Sequence, residues 1–142
     1  QGEALSMSDR VAVFNGGRLE QVDSPRALYA RPRTAFVAGF VGTANVLTGA
    51  LARQVAGGEG PVAIRPEHIR LGAPAGDQVG VTGRLVDVQF HGPVCRWAVD
   101  VDGTPVAVDV PGGEGEPARP EPGAPVRLSW PRAAMVPLEP AA

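Results

Sequence analysis

The chain has 142 residues and a formal net charge of −2, from 13 basic and 15 acidic side chains. This length suits one ordinary domain, or a short piece of one domain followed by a smaller complete domain, and it excludes a large two-domain enzyme. The slight acidity argues against a protein that binds the phosphate backbone of nucleic acid.

All 13 basic residues are arginine and none is lysine. A phosphate-binding P-loop and any Schiff-base chemistry both need a lysine, so the sequence excludes both from this chain. Cys95 is the only cysteine, which excludes an intrachain disulfide and a cysteine-based metal cage and suits a reducing cytosol. No apolar run approaches the roughly 18 residues that span a bilayer, so we expect a soluble chain.

The first part of the chain predicts a helix followed by a β-hairpin. Residues 3–8 have helical character, and the sequence enters this pattern abruptly at Gln1, which predicts a fragment of a longer protein. Residues 10–14 and 18–22 are short strands joined by Asn15-Gly16-Gly17, a turn that tolerates positive φ.

Two short helices are predicted next, over residues 25–30 and 35–41. Ser24 and Thr34 are their N-caps, and Pro25 occupies the first helical position of the first helix. In the second helix Phe36, Val37 and Phe40 are predicted to share one side. A segment this small cannot hold a core of its own, so its apolar face is expected to cover another body.

The remainder of the chain predicts strands separated by glycine and proline. The candidate strands are residues 46–53, 62–65, 69–71, 79–90, 94–101, 104–110, 125–130 and 134–138. Within residues 79–90 the apolar side chains change from odd-numbered to even-numbered positions near Gly83 to Leu85, which predicts a bulge. Asp102-Gly103 predicts a type I′ hairpin. Residues 56–61 and 111–123 are loops by composition, the second long enough to be mobile. The predicted fold is mainly β, an OB-like small barrel preceded by a short α/β segment.

Several stretches of the sequence resemble a known family in chain order. Residues 1–21 resemble the end of the nucleotide-binding domain in ABC importer ATPases of the spermidine/putrescine, ferric iron and maltose type, directly after the switch histidine. Residues 24–42 continue the resemblance into the linking helices, and Asn45-Val46-Leu47 resembles the usual start of the transport-associated OB (TOBE) domain. Arg65-Pro66-Glu67 is similar to a motif of that domain.

This resemblance implies two parts, a C-terminal remnant of the nucleotide-binding domain in residues 1–43 and a TOBE domain in residues 44–142. The family's Walker A, signature, Walker B and switch histidine all fall before Gln1, so we expect no catalytic, cofactor-binding or metal-binding residue within the chain. ATP and Mg²⁺ would be bound elsewhere in the full-length subunit.

The resemblance also implies partners and a location. The partners are a second copy of the ATPase subunit, transmembrane permease subunits and, indirectly, a periplasmic or lipoprotein solute-binding protein. The ATPase subunit itself would lie at the cytoplasmic face of the membrane. The TOBE domain would regulate the subunit and hold the dimer together. Polyamines and ferric iron both remain open as the transported solute.

Five residues are candidates for regulatory or interface contacts: Arg65, Glu67, His68, Phe36 and Phe40. Proline between Arg65 and Glu67 would hold opposite charges in defined directions for a partner, although a local turn with its own hydrogen bonds explains the same motif. Phe36 and Phe40 are candidates for a docking stripe.

Other residues have a structural and a functional interpretation. No Asp, Glu or Cys stands at ligand-like spacing around both His68 and His91, which argues against a metal site. Cys95 in a β pattern is more typical of packing than of redox chemistry. Trp97 and Trp130 lack basic neighbours, so we favour core positions over base-stacking platforms. The alternative function is an oxyanion-binding OB domain of the molybdate or sulfate type, which would require arginines at an interface. Single-strand nucleic-acid binding is a third interpretation.

Overall fold

A computed structural model describes residues 9–58, 60–113 and 116–139. The helix predicted over residues 3–8 lies outside them. The elements in chain order are β1 (Val11–Asn15), β2 (Arg18–Asp23), α1 (Pro25–Ala30), α2 (Ala35–Phe40), β3 (Asn45–Leu47), α3 (Gly49–Ala56), β4 (Val62–Ile64), β5 (Arg70–Leu71), β6 (Gln78–His91), β7 (Val94–Val101), β8 (Thr104–Pro111), β9 (Pro125–Pro131) and β10 (Val136–Pro137). No helix within the described residues is long and apolar enough to cross a membrane.

The N-terminal segment, residues 9–43, has the predicted hairpin and helices. Strands β1 and β2 pair antiparallel, and the hydroxyls of Ser24 and Thr34 each accept a hydrogen bond from the backbone N–H three residues on, at 3.2 Å. These N-caps satisfy helix donors that would otherwise lack partners. Val13, Leu28 and Val37 form a small core between the hairpin and the two helices.

Side chains of β2 fix the connection between α1 and α2. The buried Gln21 amide accepts from the backbone N–H of Arg33 at 2.9 Å and donates to the carbonyl oxygen of Arg31 at 3.2 Å. Glu20 accepts from the hydroxyl of Thr34 at 2.8 Å. Because these bonds reach both sides of Pro32, the hairpin sets the position at which α2 begins.

The strands described between residues 44 and 139 form two sheets. β5, β9, β6, β7 and β8 make a five-stranded antiparallel sheet, and β10, β4 and β3 make a three-stranded one. The large sheet curls into a half-barrel that brings its outer strands β5 and β8 close to each other. The mainly β, OB-like fold predicted from the sequence is therefore confirmed.

The half-barrel is filled by alternate side chains of its strands. Cys95, Trp97, Val99 and Val101 of β7 are each about 1% exposed, and Trp130 of β9 joins them in the same core. The two tryptophans therefore occupy core positions, as favoured from the sequence, and neither ring is available for stacking on a base.

The sequence interpretation was wrong for residues 46–53. The strand ends at Leu47, and helix α3 begins at Gly49. Leu51, Ala52 and Val55 follow the helical period and are buried against the core, and Gly57 ends the helix with a left-handed φ of 79°. Burial of one helical face favours the helix over the strand that the same apolar residues would allow.

The large sheet contains both a bulge in β6 and a tight hairpin between β7 and β8. The bulge of β6 lies between Leu85 and Asp87, slightly later than the pattern indicated, and leaves Val86 exposed. Asp102 and Gly103 have φ values of 51° and 88°. Two consecutive positive φ angles are typical of a type I′ turn, so the predicted hairpin is confirmed.

Candidate functional site: the junction between helices and half-barrel

Arg65 connects the half-barrel to the N-terminal segment. It directly follows β4, whose three residues are all buried, and Pro66 then begins a 3₁₀ turn that ends at His68. Arg65 is only 6% exposed. A buried arginine is rare unless its donors are bonded, so its partners identify what the position does.

The guanidinium of Arg65 bonds to four main-chain carbonyl groups of the N-terminal segment. Its Nη1 atom donates to the carbonyl oxygens of Ala38 at 2.9 Å, Gly42 at 3.2 Å and Thr43 at 3.0 Å. Its Nη2 atom donates to the carbonyl oxygen of Tyr29 at 3.0 Å. These acceptors lie between 22 and 36 residues from Arg65 in the chain.

Two of these carbonyls belong to the last turns of α1 and α2. A helix leaves its final carbonyl groups without internal partners, and a cation there also favours the helix dipole. Neither helix has a basic residue in its own last turn. Arg65 therefore supplies, from the half-barrel, the C-terminal capping charge that both helices lack.

Tyr29 and Glu67 complete the contact around Arg65. The guanidinium carbon lies 4.0 Å from the centroid of the Tyr29 ring, a cation–π arrangement. The Tyr29 hydroxyl donates to the Glu67 carboxylate. Burial, together with this hydrogen bond, raises the pKa of Tyr29 to about 12, so the hydroxyl keeps its proton and its donor role.

Burial lowers the pKa of Arg65 from its usual value. A guanidinium nevertheless stays protonated in proteins, so Arg65 remains charged. It is held by carbonyl dipoles, with the negative carboxylate of Glu67 close enough to favour the charged form. Removing the side chain would leave several buried acceptors without their donor.

A second arginine holds the connection between α2 and β3 from the outer face of the sheet. Arg96 of β7 makes a two-pronged bond to Asp109 of β8, with Nε–Oδ1 at 2.8 Å and Nη2–Oδ2 at 3.0 Å. Its Nη1 atom donates to the hydroxyl of Thr43 at 3.0 Å. The hydrogen bonds that Arg96 donates to Asp109 raise the pKa of Arg96. Thr43 is thus fixed by Arg65 through its carbonyl and by Arg96 through its side chain.

Asn45 joins the start of β3 to the edge of β8. Its side-chain amide donates to the carbonyl oxygen of Ala107 at 2.9 Å and accepts from the N–H of Ala107 at 2.8 Å. Asn45 is 6% exposed. Its amide group therefore pairs with β8 as a neighbouring strand would and satisfies both main-chain groups of Ala107.

Replacing Asn45 with Asp should lower the free energy of unfolding by about 2 kcal/mol near neutral pH. The carboxylate would lose the donor and would face the carbonyl oxygen of Ala107 in a buried position. Both effects raise the folded-state pKa of the new carboxyl above its unfolded value. The loss in free energy of unfolding is therefore largest above the folded-state pKa and becomes smaller as the pH falls below it.

Denaturant unfolding of the Asn45→Asp variant at neutral pH and near pH 4 would measure this recovery. Asn45→Ala is the control, because it loses the same hydrogen bonds without adding a titratable group. An Asn45→Asp deficit that does not change with pH would contradict the assigned contact.

The structure brings Arg65 and Glu67 together at the junction, while His68 lies exposed at the end of the same turn. Phe36 and Phe40 are 39% and 42% exposed and stack with ring centroids 6.2 Å apart on α2. Val37, which was predicted on their side, is fully buried in the small core instead. One hundred degrees of rotation per residue is enough to turn it inward.

An open groove of about 720 Å³ lies beside the junction. Its lining comes from β1, from both short helices and from the connection that follows α2, and it includes Leu28, Tyr29, Phe40 and Ala44. The groove therefore continues the partly exposed apolar surface of Phe36 and Phe40.

The arginines at the junction do not favour the oxyanion alternative. Arg65 and Arg96 direct their guanidinium groups at carbonyl oxygens, a hydroxyl and a carboxylate of this chain. Within the described residues, no group of three or more His, Cys, Asp or Glu side chains could hold a metal ion.

Sequence reasoning missed the roles of Tyr29, Asn45 and Arg96. Tyr29 and Asn45 carried a signal, because each stands in a stretch that resembles the family, but nothing in the sequence indicated their distant partners. Arg96 and Asp109 are directly opposite each other in the β7–β8 register, so they could have been paired once that hairpin was predicted.

The family model of the TOBE domain matches residues 62–138, which include the Arg65 motif and the whole large sheet. The chain belongs to the TOBE domain family. This match confirms the resemblance found in the sequence, and the junction described above is the place where the TOBE domain meets the segment before it.

Relatives of this TOBE domain chain are ATP-binding proteins of ABC transporters. An uncharacterized ABC transporter ATP-binding protein of Escherichia coli is 52% identical over 97% of the chain and 41% of its own length. The spermidine/putrescine import ATP-binding protein of Frankia alni is 35% identical over 92% of the chain and 36% of its own length. The protein of the same name from Acidothermus cellulolyticus is 38% identical over 70% of the chain and 32% of its own length. The chain thus spans about two fifths or less of these relatives.

Proposed function

We propose that this chain is the regulatory and dimerisation region of the ATP-hydrolysing subunit of a bacterial ABC importer. The observation that carries the proposal is the capping of α1 and α2 by Arg65. The segment that contains these helices resembles the end of a nucleotide-binding domain, and Arg65 belongs to the TOBE domain. A movement of either part is then passed to the other through buried hydrogen bonds.

The rest of the subunit performs the ATP chemistry. ATP and Mg²⁺ bind to a nucleotide-binding domain outside this chain. The subunit lies at the cytoplasmic face of the membrane, where it binds transmembrane permease subunits, and a periplasmic or lipoprotein solute-binding protein completes the importer on the opposite face. The half-exposed pair Phe36 and Phe40, with the groove beside it, contacts the body of the nucleotide-binding domain. This contact covers the apolar surface that the short segment leaves open.

For the solute we propose a polyamine. Two of the relatives described above are named as spermidine/putrescine import proteins, whereas the relative with the highest of the three identities is uncharacterized. Polyamines are therefore favoured over ferric iron.

A chimera tests the proposal. This chain would replace the matching region of the Frankia alni spermidine/putrescine import ATP-binding protein, in a complex with that protein's permease. We expect the chimera to support spermidine uptake, and we expect Arg65→Met to lower uptake per ATP hydrolysed several-fold, because the helices and the TOBE domain no longer move together.

Arg70→Met is the matched control, since Arg70 is an exposed arginine on the short strand β5 of the same domain. Equal coupling in the Arg65→Met and Arg70→Met chimeras would contradict the regulatory role. A chain that stays strictly monomeric at high concentration would remove the dimerisation role.

A further inference from the structure

Among the described residues, the outer half of β6, residues 86–91, has a neighbouring strand on one side only. Strand β9 pairs with β6 as far as Arg84, and two backbone hydrogen bonds from Gly123 and to Ala124 extend this contact to Leu85. Beyond Leu85 the pairing continues with β7 alone among the described residues. An unpaired strand edge is a template for a further strand.

The register of the hairpin shows which main-chain groups face the open side. His91 and Val94 close a two-residue turn, so they form a hydrogen-bonded pair and the bonded pairs then alternate along the strands. Gln89 is bonded to β7, whereas the N–H and C=O groups of Val88 and Phe90 point away from it. The same rule directs the main-chain groups of Ala107 outward from β8, where Asn45 binds them.

The side chains of this edge are divided between two faces. Val88 and Phe90 stand opposite Trp97 and Cys95 and share their face, yet Phe90 is 77% exposed. Asp87, Gln89 and His91 lie on the other face and are all exposed. The edge therefore offers one apolar and one polar surface, together with main-chain hydrogen-bonding groups that pair with no strand in the described part of the chain.

The sequence Asp87-Val88-Gln89-Phe90-His91 is complementary to its own reverse. An antiparallel copy centred on Gln89 places Asp87 opposite His91 and Val88 opposite Phe90. This register also agrees with the main-chain directions, because the outward groups of Val88 then meet those of Phe90. A shift by two residues in either direction is permitted by the backbone but separates the carboxylate from the imidazole.

We propose that two copies of this chain associate by antiparallel pairing of the outer halves of β6 about a twofold axis at Gln89. The two Val88–Phe90 pairs exchange main-chain hydrogen bonds, and an imidazole N–H of His91 donates to the carboxylate of Asp87 on the other copy. The proposal rests on the dimerisation role proposed above and gives that role a surface.

Cysteine cross-linking tests the register. In the paired dimer the two Gln89 residues form a non-hydrogen-bonded pair, with Cα atoms about 4.5 Å apart, which is within the range of a disulfide. We expect Gln89→Cys in the full chain to give a covalent dimer on mild oxidation, seen by non-reducing electrophoresis. Asp87→Cys is the matched control on the same face, because the two substituted positions would be about 13 Å apart. The native Cys95 is buried and should form no intermolecular disulfide in either variant.

Charge exchange tests the same register without a covalent bond. Asp87→Lys and His91→Glu should each weaken self-association about tenfold by sedimentation equilibrium, and the double variant should restore it. Within one chain these positions are about 13 Å apart along an extended strand, so restoration requires contact between copies. Phe90→Pro should also abolish association, since it removes an outward N–H without removing a bond to β7.

Cross-linking confined to Gln89→Cys, with restoration in the double variant, would support the edge pairing. A dimer that withstands the charge variants and Phe90→Pro would overturn this surface and leave the dimerisation role intact. A strictly monomeric parent chain would overturn both. Unchanged tryptophan fluorescence in each variant establishes that the fold is kept.

Discussion

Replacing Arg65 with Met should lower the free energy of unfolding by about 3 kcal/mol or more. Methionine retains much of the apolar stem of Arg65 but donates no hydrogen bond, so the carbonyl groups of Tyr29, Ala38, Gly42 and Thr43 lose their shared charged donor. Hydrogen bonds to a charged group are worth about 1.5 to 3 kcal/mol each, and buried acceptors that lose their partner add a desolvation cost.

Urea unfolding followed by tryptophan fluorescence would measure the total loss, and hydrogen exchange would locate it. The exchange rates of α1 and α2 should rise more than those of β7, because these helices lose their C-terminal cap. The free energy of unfolding of Arg65→Lys should lie between those of the parent and Arg65→Met, since an ammonium group cannot spread its donors over two helix ends as a planar guanidinium does.

Arg70→Met is again the control, and its stability should stay within about 0.5 kcal/mol of the parent. An Arg65→Met variant as stable as this control would show that the junction does not depend on the guanidinium. A uniform rise in exchange across helices and sheet would show that Arg65 supports the whole fold and not the helix ends in particular.

Replacing Gly83 with Val should lower the free energy of unfolding by about 3 kcal/mol. A Cβ atom at this position would lie 2.6 Å from the carbonyl oxygen of Asp100 and 2.6 Å from Cγ1 of Val99. Both atoms belong to β7, which is fixed by hydrogen bonds to β6 and β8. Neither atom can therefore move away without a large cost in free energy. Gly83→Ala meets the same oxygen and should cost about 2 kcal/mol.

Gly80→Ala is the matched comparison on the same strand. A Cβ atom there would lie 2.6 Å from the ring of Pro74, but Pro74 belongs to an exposed loop that can shift. We expect a loss below about 1 kcal/mol from thermal or urea unfolding. Similar losses for Gly80→Ala and Gly83→Ala would contradict the view that the fixed backbone of β7 determines the cost.

Local signals in the sequence were enough to predict the N-terminal segment and most strands. Ser24 and Thr34 are capping residues followed by short helical patterns, and Asp102-Gly103 fits one turn type because of its φ requirements. Such signals depend only on neighbours in the chain. They therefore survive without knowledge of the tertiary structure.

Three features could not be predicted because their causes are distant in the chain. Helix α3 has a short apolar pattern that also suits a strand, and only its packing against the half-barrel decides between them. Arg65 was identified as a candidate, but its partners lie at the ends of two other elements, so the sequence could not show that it caps helices. The hydrogen bonds of Asn45 to Ala107 likewise cross 62 residues.

The end of the described chain returns to the connection between the two short helices. The N–H of Glu139 donates to the carbonyl oxygen of Arg33 at 2.7 Å, and the two side chains form an exposed ion pair. Leu138 packs nearby with Ala38. A fluorophore attached through Glu139→Cys would consequently lie beside the helical connection, and a change in its emission would report any displacement of the helices relative to the sheets.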